Sequence, residues 1–293
     1  MSVFINGLHS GAIDHLIDLA IAEDVGAGDI TTSHLPDPSA RGRGEIVAKQ
    51  PMVVAGLEIA KRVFEKFEPE VVFLPKFKDG DAVRTKDVIA EISGTMQTLL
   101  TGERIALNFL QRLSGIATNV RNYVEELNDA KIRLVDTRKT VPGWRVLDKY
   151  AVRIGGAYNH RMGLYDGVLI KDNHIAAFGG ICNAVLHIRK QVSHLIKIEI
   201  ETSNIDEVKQ ALDAEADVIM LDNMEIKEIR TAVDLINGRA VVEVSGQVGK
   251  GNLHGLAETG VDIVSVGALV HGAVFMDISM RISSAGPQAD NKT

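Results

Sequence analysis

The chain has 293 residues, 45% of them hydrophobic and 24% charged, with a net charge of −7. Those proportions fit a globular protein with one large core or two modest ones, and exclude a collagenous or disordered chain. A single cysteine, Cys182, excludes an intrachain disulfide framework and suits a reducing, cytoplasmic setting, where it is expected as a buried structural thiol.

The opening MSVFINGLHSGAIDHL lacks the basic stretch of a secretory leader, and no apolar run approaches the length of a membrane span. Ser10 is placed to cap a helix whose apolar face runs Ile13, Leu16, Ile17, Ala20 and Ile21. Gly26, Gly28 and Pro36 then mark a loop. Residues 43–56 and 71–93 read as short strands around a helix near Leu57–Phe67. KDGDAVRTKDVIAEISG resembles the hairpins of lipoyl-type sandwiches but offers no tip lysine in the usual setting, so it reads as scaffold. Thr101 reads as the N-cap of a long amphipathic helix through Ile105, Phe109, Leu113, Ile116, Val120 and Leu127, with a bend or break at Ser114–Gly115.

Beyond that helix the pattern changes. Apolar runs recur at 133–136, 167–172, 195–201, 217–222, 240–246 and 262–268, with helical spacing between them. Strand then helix, repeated, predicts a parallel β/α domain, and six runs rather than eight predict an incomplete barrel. The final SSAGPQADNKT reads as a disordered tail.

Charge is uneven along the chain. Between Lys131 and His174 nine Lys and Arg oppose four Asp, a local +5 that leaves −12 for the remainder. A duplex wants an extended basic face, so nucleic acid is not the expected partner. A cationic island suits a small, multiply charged anion. A solvated helix face accounts for Arg145, Lys149 and Arg153, but not for Arg138, Lys139 and Lys171, which sit at the ends of strand-like runs.

In β/α barrels the carboxyl ends of the strands carry function. Here they are Thr137-Arg138-Lys139, Lys171-Asp172, Glu201, Asp222, Ser245-Gly246 and, after Val266, Gly267-Ala268. The last two lie where barrels hold a phosphate on bare backbone N–H groups. Glu201 and Asp222 end successive strands, where paired acids can grip sugar hydroxyls, hold Mg²⁺ directly or through water, or balance a cationic transition state. Neutralising Lys171 and Arg138 is an equally open role for them. His160-Arg161 offer further donors for carboxylates. His160 and His174 lack the spacing of a zinc motif.

At these residues the chain resembles the quinolinate phosphoribosyltransferase family, the decarboxylating nicotinate-nucleotide pyrophosphorylases. The resemblance runs through AEDVGAGDITT, TGERIALNFLQRLSGIAT, DTRKTVPGWR, GGAYNHRMGLYDGVLIKDNHI, ETGVDIVSVGALVHGA and DIS. It implies an N-terminal α/β sandwich (1–112, to which 272–293 is expected to return) and a partial TIM-like barrel (113–271), the type II phosphoribosyltransferase fold. It further implies a homodimer, or a larger assembly of dimers, with shared active sites.

Carried across by position, Arg138, His160, Arg161 and Lys171 would bind the carboxylates of quinolinate, with Arg104 reaching in from the second subunit. Thr137 and Lys139 would lie at the junction with pyrophosphate. Glu201 and Asp222 would take the ribose hydroxyls of phosphoribosyl pyrophosphate and Mg²⁺. Ser245, Gly246, Gln247, Val266, Gly267 and Ala268 would cradle the 5′-phosphate, assisted by His271. Gln247 stands where the family usually has a second glycine, and Val244 where it has alanine. Trp144 replaces a leucine, which predicts altered packing beside Arg138. The alternatives are a paralogous transferase of molybdate-transport operons with another acceptor, a phosphosugar aldolase using Lys139 or Lys171 as a Schiff base, and a non-catalytic phosphosugar-binding subunit.

Overall fold

The computed structural model describes residues 10–128, 131–246, 251 and 253–284, so Gln247 and nearly all of the C-terminal tail lie outside the described residues. Two compact units emerge. One takes in the chain up to Asn119, Val141–Gly155 and the chain from Ala273; the other takes in Val120–Thr140 and Gly156–Gly272.

In the first unit, helix α1 (Ser10–Val25) precedes an antiparallel sheet built from β1 (Arg41–Ala48), β3 (Val72–Pro75), β5 (Val88–Thr95) and β12 (Ile278–Ser284), in the order β12-β1-β5-β3. A separate pair joins β2 (Met52–Val53) to β4 (Ala82–Val83). Helix α2 (Leu57–Phe67) buries Ile59, Ala60, Val63 and Phe64, one stripe at helical spacing. Its first N–H groups have a distant acceptor: Gly56 N and Leu57 N donate to the Asp79 carboxylate at 2.9 and 3.2 Å. The Tyr150 hydroxyl donates to the same group. Gly56 starts the helix at φ 103°, a backbone state that an L side chain rarely adopts.

Helix α3 (Met96–Leu127) departs from expectation at its start and at its middle. It begins a turn before Thr101, whose hydroxyl bonds Asp29 instead. The capping hydroxyl is that of Thr95, which accepts from Thr98 N at 3.1 Å. Nor does the helix break at Ser114–Gly115. Ser114 Oγ accepts from Ala55 N, and a Cβ on Gly115 would stand 2.0 Å from the Val274 carbonyl oxygen. The glycine serves a close backbone approach, not a kink. Helix α4 (Arg145–Gly155) corrects another expectation: Lys149 is buried, at 1% exposure, and is no part of a solvated face. Beside it the fully buried Asp148 takes three hydrogen bonds from Arg112, at 2.8–3.0 Å. Trp144 stacks on Phe109 at 4.8 Å with the Arg112 guanidinium 5.4 Å from its ring centre, so this departure from the family pattern is packed within the first unit.

The second unit is a parallel sheet of β6 (Arg133–Val135), β7 (Val168–Ile170), β8 (Ile198–Thr202), β9 (Val218–Asp222), β10 (Val241–Ser245) and β11 (Ile263–Ser265). The order is β6-β11-β10-β9-β8-β7. Successive strands β7 to β11 lie side by side, while β6 joins the far edge at β11. Among the described residues nothing pairs β6 with β7, so the barrel stays open there. Helices α5 (Asp172–Phe178), α6 (Ile181–Arg189), α7 (Ile205–Asp213), α8 (Ile226–Ile236), α9 (Leu253–Ala257) and α10 (Ala268–His271) follow the strands in turn. Cys182 on α6 is half-buried, with Sγ 3.7 Å from the Gln210 carbonyl, less enclosed than its composition-based expectation. Among the described residues no helix is long and apolar enough to cross a membrane.

Candidate active site

A pleated strand sends alternate side chains to one face. On β7 that face carries Leu169 and then Lys171, on β9 Met220 and Asp222, on β10 Glu243 and Ser245, and on β11 Ser265 and Gly267, with Glu201 on β8 between them. All of these line one cleft of about 690 Å³ at the carboxyl ends of the strands. Parity alone therefore decides which residues of each strand meet.

The cations enter from two loops. After β6, Lys139 N donates to Thr137 Oγ1 at 3.0 Å and Thr140 N to the Arg138 carbonyl at 2.9 Å, a tight turn that holds Arg138 and Lys139 exposed over the cleft. The second loop is fastened by Asp136, which is completely buried and accepts from Asn159 Nδ2 and His160 N, each at 2.8 Å. It brings His160 and Arg161 to the cleft wall. Arg161 Nη1 donates to the Gly167 carbonyl at 2.9 Å, leaving its other nitrogens for a ligand. Burial, and then the charge of Arg138, weigh against the Arg161 cation; Glu199 and Asp166 support it.

Opposite them stand the acids. Lys171 forms an ion pair with Glu201. Asp222 accepts from Asn223 Nδ2 at 2.7 Å, while Asn223 N donates to the Ser245 carbonyl at 3.0 Å, tying the ends of β9 and β10 together. Gly246 follows at φ 85°, where an added Cβ would lie 2.3 Å from Asn223 Oδ1. Gly267 is needed for space: a Cβ there would meet Lys139 Cδ at 2.8 Å and His271 Nε2 at 3.3 Å. Val266, Ala268 and His271 complete this side of the lining.

Among the described residues, one anticipated residue, Arg104, does not line the cleft. Arg104 is exposed on α3 in the first unit, and Gln247 lies outside the described residues. Conversely, the acids Glu199 and Glu243 were not anticipated. The His160 imidazole sits over both, with Nε2 3.3 Å from Glu199 Oε2 and 3.6 Å from Glu243 Oε1. Ligand atoms of the three lie within 4.8 Å of one another, a spacing that a cation could use. His160 Nδ1, however, accepts the Arg161 N–H at 2.8 Å, so Nε2 carries the ring hydrogen and turns it toward the carboxylates. A metal-bound imidazole has the reverse arrangement, donating from its distal nitrogen.

A parallel β/α domain whose strand ends face cations with carboxylates and bare glycine backbone defines an enzyme for a phosphorylated, polyanionic substrate. Two family models match: Quinolinate phosphoribosyl transferase, N-terminal domain, over residues 29–114, and its C-terminal domain over residues 116–281. The chain belongs to the quinolinate phosphoribosyltransferase family. It is 45% identical to a probable nicotinate-nucleotide pyrophosphorylase [carboxylating] of Synechocystis over 92% of each chain. Identity is 42% to the corresponding Bacillus subtilis protein, again over 92% of each. The solved structure of NadC from Streptococcus pyogenes superposes with a TM-score of 0.90 at 41% identity, covering 93% of this chain and 96% of that one.

Proposed function

We infer that the protein transfers the phosphoribosyl group of phosphoribosyl pyrophosphate to the ring nitrogen of quinolinate, releasing pyrophosphate, and that loss of the ring's 2-carboxylate gives nicotinate mononucleotide and CO₂. This is a step of NAD biosynthesis. The observation that carries the reading is the meeting of Arg138, Arg161 and Lys171 with Glu201, Asp222 and the two glycine turns in one cleft.

The roles follow from charge and reach. Arg138, Arg161 and Lys171 hold the two carboxylates of the acceptor, with forked donors suited to that shape. Thr137 and Lys139 face the departing pyrophosphate, where Lys139 meets charge that grows as the C1′–O bond opens. Glu201 and Asp222 take the ribose hydroxyls and set a negative field under the sugar as it gains oxocarbenium character. Ser245, Gly246, Gln247 and Val266–Ala268 receive the 5′-phosphate, with His271 beside Gly267. Glu201 and Asp222 are oxygen donors at adjacent strand ends, the set that Mg²⁺ accepts alongside substrate phosphates, and when bound that ion neutralises the leaving group.

Two features of the chain support a shared dimeric site completed by Arg104 of a second copy. Arg104 is exposed on the first unit, and the same unit presents Ile30, Val274 and Phe275 to solvent. A cytoplasmic setting remains the reading for the assembled enzyme.

The aldolase alternative, through Lys139 or Lys171, asks for a desolvated, unpaired amine, whereas Lys139 is exposed and Lys171 is paired with Glu201. The deciding assay combines the purified protein with quinolinate, phosphoribosyl pyrophosphate and Mg²⁺. Nicotinate mononucleotide and CO₂ in equal amounts are expected. Turnover of nicotinate or another base in preference to quinolinate would assign a different acceptor.

A further inference from the structure

A cleft built for a dianion has two glutamates at its foot. Glu243 lines it with 2% of its surface exposed, and Glu199 lies beside it at 8%. In each, Oε1 is buried with no hydrogen-bond partner in the protein. Two ionised carboxylates this close, in a medium of low polarity, cannot both persist. Burial first, and the Glu199 charge second, push the Glu243 carboxyl up to about 8 against the opposing pull of His160 and Ser265. The groups facing it are those three: Glu199 from β8, His160 from the loop after α4, and Ser265 from β11. The neighbour at its own level on β9 is the uncharged Met220. Burial and the Glu199 charge therefore favour the protonated, neutral form of Glu243. It repels no anion and it holds a proton.

Its depth is informative. Glu243 precedes Ser245 by two positions on the same strand face, about 7 Å along the strand. The acid thus stands one pleat below Ser245, with His160 Nε2 3.6 Å from its Oε1. An aromatic acid whose nitrogen bonds to C1′ directs its ring into that depth. Carbon 2, next to the nitrogen, loses a carboxylate and then needs a proton. Solvent is a poor source at the foot of the cleft, where Glu243 is 2% exposed.

We propose that Glu243 is the proton donor that completes decarboxylation. The proposal rests on the transferase reading above. The bond between carbon 2 and its carboxyl carbon breaks, and the electron pair stays on carbon 2 under the pull of the quaternised nitrogen. CO₂ departs, and the Glu243 O–H proton forms the new C–H bond. Glu243 is left as a carboxylate and regains a proton from water before the next turnover. Glu199 and His160 act as positioning residues: the Nε2–H of His160 fixes the Glu199 carboxylate, which keeps Glu243 protonated.

Glu243→Gln tests this, because it preserves shape and removes the acid. With quinolinate and phosphoribosyl pyrophosphate, CO₂ release should fall about 10²-fold, far more than pyrophosphate release, and undecarboxylated quinolinate mononucleotide should accumulate. CO₂ keeping pace with pyrophosphate in the variant overturns the proposal and leaves the transferase reading standing. A wild-type enzyme that releases no pyrophosphate from these substrates sinks both. Should the variant fail to fold, the wild type still decides. Its undecarboxylated product should rise as a share of total nucleotide as pH climbs through about 8, and a share that stays constant across that range refutes the donor.

Discussion

Buried charge is handled in two ways. Asp148 and the half-buried Asp79 in the first unit, like Asp136 in the second, are met by several donors each. Asp148 takes three hydrogen bonds from Arg112, and Asp79 takes two backbone N–H groups and the Tyr150 hydroxyl. In the cleft of the second unit, Arg161 lies close enough to Arg138 to feel its charge, and Glu243 lies against Glu199 with an oxygen unpaired. A satisfied buried ion is architecture. Like charges held together against their repulsion are kept for something that arrives later, and perturbed groups collect where chemistry is done.

The sharpest way to break that contrast is Asp148→Ala. It strands Arg112, which has 17% of its side chain exposed, and should cost about 3–5 kcal/mol in urea unfolding. Substrate KM should be unchanged in the protein that remains folded. A mild loss of stability would mean that the pair is not architectural. On the other side, Lys139→Ala should lower kcat by the equivalent of roughly 2–4 kcal/mol with little change in KM, because its partner charge grows only as pyrophosphate leaves. Arg161→Ala should instead raise KM for the acceptor, by an equivalent of about 2 kcal/mol, since it grips the same carboxylate throughout. Steady-state kinetics with the two patterns exchanged would reverse these assignments.

A smaller effect is expected of Gly246→Ala. The side chain meets Asn223 in a backbone region that disfavours it, and the cost should be about 1–2 kcal/mol. It should appear as a raised KM for phosphoribosyl pyrophosphate with the acceptor KM unmoved. Smallest of all is a titration in the first unit. Burial pushes the Glu68 carboxyl up, but the Thr95 N–H and Arg41 more than reverse it, so its folded pKa lies below the ordinary value. Its stabilisation is full above pH 4.5 and fades as acid brings the pH down through the lowered value. Glu68→Gln should flatten that part of the stability curve, as followed by thermal melts in acid.

Much of the cleft was legible because function sits at the ends of apolar runs, and run ends are easy to see. Thr137 to Lys139, Lys171, Glu201, Asp222 and Ser245 all stand there. What escaped notice lies one pleat deeper. Glu199 and Glu243 sit inside their runs, masked by Ile and Val on either side. Counting back by two from Glu201 and Ser245 would have found both. The cap falls at Thr95 and not at Thr101 because the helix takes in the apolar MQTLL stretch, and the Thr95 hydroxyl has the right offset from Thr98. The role of Gly115 was illegible for another reason. Gly115 depends on a distant segment, the Val274 carbonyl, and periodicity carries no information about segments far apart in sequence.

Strand β12 pairs along the whole length of β1 from Gly42–Ser284 to Ala48–Ile278. During translation the first of the described strands therefore waits for the last of them before its outer hydrogen bonds are made. The parallel sheet, drawn entirely from residues 133–265, can assemble in the interval. Nascent chains of this topology carry an unguarded β edge for most of their synthesis, which exposes them to strand exchange with neighbours on the same message. A strand made early is thus among the last to be completed.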